Sequence, residues 1–103
     1  MPTLRTPRHF RRVFDTGTRR RRGGITVVSA PPVSSGGAVG FVISRSSGKA
    51  VVRNRIKRRL RAAVREIPEF LEQDRVVIAT GAIATVPFET LVQWLLAAIS
   101  HDE

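Results

Sequence analysis

Residues 53–65 read Arg-Asn-Arg-Ile-Lys-Arg-Arg-Leu-Arg-Ala-Ala-Val-Arg, and a helical advance of about 100° per residue sorts them into two faces. Val52, Ile56, Leu60, Ala63, Val64 and Ile67 fall within roughly a third of the circumference, the width of a core-facing stripe. Around the rest, Arg53, Lys57, Arg61 and Arg65 form a ridge at i, i+4 spacing, extended by Arg55, Arg58 and Arg59, with no acid before Glu66. Each such like-charge pair costs an isolated helix about 0.2–0.5 kcal/mol, so an anionic partner is expected to offset the repulsion. Asn54 both donates and accepts; it suits sugar, phosphate or a base edge, and equally a helix N-cap. The pattern predicts a helix from about Val51 to Glu66, ending before Pro68.

Working upstream, Thr6 reads as an N-cap, Pro7 as the first helical residue and Gly17 as the C-terminal cap, with Phe10, Val13 and Phe14 as the apolar stripe between them. The β-branched run Ile25 to Ala30 predicts a strand ended by Pro31-Pro32. Val33 to Ala38, with Ser34-Ser35-Gly36-Gly37, reads as a hairpin loop, and Val39 to Ser44 as the returning strand, so these two strands are expected to pair antiparallel. Arg45 to Lys49 is a polar connection. Downstream, residues 75–80 form a continuous apolar strand of the buried, central type. Phe88, Leu91, Val92, Leu95, Leu96 and Ile99 mark a closing helix. The order is helix, strands, helix, strand, helix, with no repeat or boundary, so residues 1–103 read as one domain.

A net charge of +10 on 103 residues favours a polyanion. All but Lys49 and Lys57 of the 18 cations are arginine, whose planar fork matches phosphate. No apolar run approaches the roughly 20 residues that span a bilayer, and residues 1–10 lack the apolar segment of a signal peptide. A cytoplasmic location and no membrane partner are expected. Absence of cysteine removes disulfides and thiolate metal sites. If about six phosphates are neutralised, log affinity should fall against log salt with a slope of roughly −4 to −5.

The run Val39-Gly40-Phe41-Val42-Ile43-Ser44-Arg45, followed by Gly48-Lys49-Ala50-Val51-Val52-Arg53-Asn54-Arg55-Ile56-Lys57-Arg58, resembles the signature of the bacterial ribonuclease P protein family, Ala-Val-x-Arg-Asn-Arg-x-Lys-Arg. Phe10-Arg11-Arg12-Val13-Phe14 with Gly17, and Asp74-Arg75-Val76-Val77-Ile78-Ala79, are similar to its first helix and fourth strand. The resemblance runs from Leu4 to the last helix. It implies an α/β (α+β) two-layer sandwich of order helix-strand-strand-strand-helix-strand-helix, with a left-handed crossover around the Arg-Asn-Arg helix. The strand that the residues alone do not signal would fall near Arg19 to Gly23.

The resemblance further implies a non-catalytic protein subunit of ribonuclease P, which removes the 5′ leader of precursor tRNA. Its partners would be the catalytic RNA and precursor tRNA, with no DNA, and it would act as a monomer within the holoenzyme. Magnesium would serve the RNA-catalysed reaction, with no cofactor held by protein side chains. Carried over by position, Arg53, Asn54, Arg55, Lys57, Arg58, Arg61 and Arg65 would contact the catalytic RNA. Phe10, Phe14, Val28, Ser44 and Arg45 would line the leader cleft, with Arg11, Arg12, Arg19, Arg20, Arg21, Arg22 and Lys49 as auxiliary cations. Where family members carry aromatics on the first long strand this chain has Ile25 and Val28. Ser46 and Thr80 replace usual basic residues, and the arginines at 19–22 are expected to compensate.

Two other classes fit less well. A protein nuclease needs converging carboxylates or histidines, but His9 and His101 lie near opposite ends, and Glu66, Glu69 and Glu72 read as a solvated acidic patch. A ribosomal-type RNA-binding protein would share the size and charge, and is the alternative that the Arg-Asn-Arg context argues against.

Overall fold

The computed structural model describes residues 2–33 and 36–100; Ser34 and Ser35 of the expected hairpin loop, and His101, lie outside the described residues. In chain order the elements are α1 (Pro7–Thr16), β1 (Thr18–Arg22), β2 (Ile25–Ala30), β3 (Val39–Ile43), α2 (Ala50–Arg65), β4 (Asp74–Ala79) and α3 (Phe88–Ile99). Short 3₁₀ turns occupy Arg45–Ser47, Pro68–Glu72 and Gly81–Ala84. The start of α1 follows from its sequence: Thr6 Oγ1 accepts from the His9 N–H at 3.2 Å, and Pro7 fills the first turn, where a missing N–H costs nothing. The helix ends as the Gly17 N–H closes on the Val13 carbonyl at 2.8 Å.

The four strands lie in the order β1-β2-β4-β3, with β4 antiparallel to β2 and parallel to β3. The expected β2–β3 hairpin therefore does not form. A strand apolar on both faces finds cover only inside a sheet, so β4 enters between the two, and β3 follows β2 only after crossing it. That crossing is tied to the approach of β4: the Gly37 N–H reaches Leu71 O at 2.6 Å, and the Ala38 carbonyl accepts from the Arg75 N–H at 2.9 Å. The strand near Arg19 to Gly23, implied by resemblance alone, is the arginine run itself. It pairs antiparallel from Thr18↔Ser29 to Arg22↔Ile25 and forms a sheet edge studded with cations, which also discourages pairing with other chains.

Strand alternation assigns the two faces. Ile25, Val27, Val39, Ile43, Val77 and Ala79 are buried against Ile56, Leu60, Ala63 and Val64 of α2 and Leu91, Leu95 and Ala98 of α3. On the other face Val28, Ala30 and Val76 are buried with Val13 of α1 and with Leu4. The β1–β2 turn carries Gly23 at φ +56°, where an added Cβ would fall 2.0 Å from the Trp94 ring. Gly23→Ala is expected to lower the melting temperature by at least about 5 °C, because left-handed backbone alone costs about 1–2 kcal/mol before Trp94 shifts. An unchanged thermal melt would show that Trp94 does not hold this turn.

Candidate nucleic-acid interface

The core stripe of α2 fixes its outer face. Ile56, Leu60, Ala63 and Val64 are buried and Val52 is half-buried, which leaves Asn54, Arg55, Arg58, Arg61 and Arg65 exposed. Lys57 and Arg53 are half-buried at the margin. Val51, Asn54, Lys57, Arg58 and Arg61 line an open concavity of about 520 Å³. Asn54 lies in the second turn and does not cap the helix; the N-cap is Lys49, without a side-chain hydrogen bond.

Arg59, which the periodicity adds to the basic face, points elsewhere. Its guanidinium donates to the Ile83 carbonyl at 2.7 Å and to the Val86 carbonyl, clamping the 3₁₀ turn Gly81–Ala84 to α2. Helical angle puts Arg59 at the border of the core stripe, and those unpaired carbonyls decide its direction.

On the other side of the sheet, cross-strand register builds rows. Ala30 and Asp74 form one, and Val28, Val76 and Gly40 the next, both under α1. The following row, Arg21–Thr26–Ile78–Val42, lies past the buried cluster, with Val42 exposed and Thr26 and Ile78 half-buried. This row leaves the α1 face of the sheet only partly covered beside Phe10 and Phe14, which are half-buried. Val28 is 0% exposed, so it supports α1 from beneath and does not face the cleft. Ile25 belongs to the opposite face; the strand position that opens here is Thr26.

Beyond this row the chain turns toward α2. The Ser44 N–H donates to Ala79 O at 3.1 Å, and Ser44 Oγ caps the turn Arg45–Ser47 by accepting from the Ser46 N–H at 3.2 Å. Arg45, Ser46, Lys49 and Thr80 are exposed. The arginine run divides by alternation: Arg19 and Arg21 share the α1 face, with the Arg19 guanidinium 5.3 Å from the centre of the Phe14 ring. Arg20 and Arg22 take the other face; Arg20 donates to the Ser100 carbonyl and Arg22 to that of Arg21. Arg11 is exposed on α1, whereas Arg12 is engaged with Asp74 at 3.2 Å and with Pro31 O at 2.6 Å.

Two charged residues that sequence reasoning passes over are buried at the head of β4. Asp74, 2% exposed, accepts from the Ala38 N–H at 2.9 Å and meets His9 Nε2 and Arg12 at 3.2 Å each, tying α1 to the sheet. Arg75, 4% exposed, points to the other face and donates to Phe70 O at 2.9 Å and Ser29 Oγ at 2.6 Å. Burial lowers its pKa from the usual arginine value, and nearby Glu72 offsets part of that shift. The available signal was an acid–base pair opening an otherwise apolar strand.

The sequence profile of the Ribonuclease P family matches residues 2–101. This chain belongs to the ribonuclease P protein family. It is 37% identical over 101 residues to the ribonuclease P protein component of Kocuria rhizophila, covering 94% of this chain and 88% of that one. To the corresponding component of Roseiflexus castenholzii it is 39% identical over 99 residues, covering 90% and 81%. The ribonuclease P protein from Thermotoga maritima has the same fold, with a TM-score of 0.83 at 27% identity over 100% of this chain and 99% of that one. The Staphylococcus aureus protein shares the fold at a TM-score of 0.82 and 21% identity, over 96% and 93%. The α+β architecture and element order implied by the Arg-Asn-Arg signature are thus those of the ribonuclease P protein. No helix among the described residues is long and apolar enough to cross a membrane.

Proposed function

We propose that this chain docks the catalytic RNA of ribonuclease P on α2 and holds the single-stranded 5′ leader of precursor tRNA in the cleft beside α1, in the cytoplasm. The observation that carries this reading is the junction of the two surfaces. The cleft row Arg21–Thr26–Ile78–Val42 runs out where Ser44 to Lys49 leads into α2, so a strand lying across the row meets the helix that grips the RNA. Asn54, Arg55, Arg58, Arg61 and Arg65, with Arg53 and Lys57 at the margin, take phosphate and sugar oxygens, and counterion release supplies much of the affinity. Arg45 and Lys49 screen phosphates where the two RNAs converge. Val42, Ile78 and Thr26 offer apolar contact without base reading.

In this reading the magnesium and the catalytic groups belong to the RNA. The chain itself positions substrate and neutralises charge. Cleavage of a precursor tRNA by a bacterial ribonuclease P RNA at low magnesium, with and without the protein, tests the reading. The expected result is that the protein restores 5′ processing. No restoration by folded protein with a cognate RNA would sink it and return the chain to the ribosomal-type RNA-binding class.

A further inference from the structure

Sequence-tolerant grip on a single strand usually comes from flat side chains on which bases stack, and the cleft offers few. Among the described residues, Phe41, Phe70, Phe88 and Trp94 pack with the α2/α3 core, which leaves Phe10 and Phe14 on the α1 side. The Phe10 ring is seated against β3: a Cβ added to Gly40 would fall 2.5 Å from Phe10 Cζ. The Phe14 ring carries the Arg19 guanidinium at 5.3 Å. Arg19 is exposed and pairs with Val28 across β1 and β2, and its guanidinium makes no hydrogen bond or ion pair to a described residue, so its five N–H donors face outward for a ligand.

We infer that Arg19, stacked on Phe14, is the base-stacking element of the cleft. It presents the outer face of its planar cation to an unpaired leader base and its N–H edge to the adjoining phosphate. Guanidinium planes serve this purpose in RNA recognition, and Phe14 holds the plane from behind. Arg21, one row further along the same face, supplies charge without such a backing ring. This inference rests on the leader-cleft reading above.

The test is the ratio of holoenzyme affinities for precursor tRNA and for leaderless tRNA, measured with wild type, Arg19→Ala and Arg19→Lys. Both substitutions are expected to reduce the ratio by about tenfold, since lysine keeps the charge but lacks the plane. A leader with abasic positions should reduce the wild-type ratio similarly and leave that of Arg19→Ala nearly unmoved, the non-additivity that marks a shared contact. A full ratio in Arg19→Lys would reduce Arg19 to a point charge and overturn the stacking role. A full ratio in Arg19→Ala would overturn the site while leaving the leader cleft standing. A wild-type ratio near one would overturn the cleft reading itself.

Discussion

With Arg55, Arg58 and Arg61 replaced together by alanine, the protein is expected to fold normally and to lose roughly 10²-fold in affinity for the catalytic RNA at physiological salt. All three side chains are exposed on α2 and none supports the core. Each phosphate contact removed should flatten the plot of log affinity against log salt by about 0.7–0.9, so the slope should move from roughly −4 to −5 toward about −2. With less like-charge repulsion, the helix should melt no lower than in wild type. Arg59→Ala gives the contrasting outcome: it releases the carbonyls of Ile83 and Val86, lowers the melting temperature and keeps the salt slope. A slope unchanged in the triple variant would remove α2 from the RNA-binding surface.

Asp74→Ala is expected to destabilise the fold by roughly 2–3 kcal/mol, a drop of about 10–20 °C in melting temperature. The Ala38 N–H loses its acceptor, and His9 and Arg12 lose the carboxylate that draws α1 onto the sheet. Breaking a fully buried ion pair costs about 3–5 kcal/mol; the lower figure applies because His9 and Arg12 are each about a third exposed and regain water. Asp74→Asn, which keeps an acceptor for Ala38, should fall between. Thermal melts decide it: a loss under about 4 °C, less than 1 kcal/mol for a domain of this size, would show that packing of Val13 and Leu4 alone holds α1.

How far the molecule can be read from its residues depends on whether each element's cause is local. α1 is legible because its cap, proline and apolar stripe are all local, and α2 because its own apolar stripe and the proline that follows it set its extent. β4 is legible as a central strand because its burial on both faces is written in a continuous apolar run. β1 is not: Thr-Arg-Arg-Arg-Arg has neither alternation nor a β-branched core, and becomes a strand because β2 offers it an edge. The pairing of β2 with β3 was misread because the strand that separates them arrives from more than 30 residues further along the chain. On the interface, the charges of α2 are visible in the sequence, but the diversion of Arg59 to two carbonyls is not. The opening of Thr26 in place of Val28 needs the register, and the buried Asp74 needs the fold.

The late insertion of β4 also orders assembly. Until residues 74–79 are present, β2 and β3 have no shared neighbour, and the apolar stripe of α2 has no completed sheet to rest on. Closing so distant a pairing loses chain entropy before any contact rewards it. During synthesis the most basic helix therefore leaves the ribosome ahead of its own support. Its seven cations have their supporting sheet complete only once a strand from later in the chain has paired in its middle.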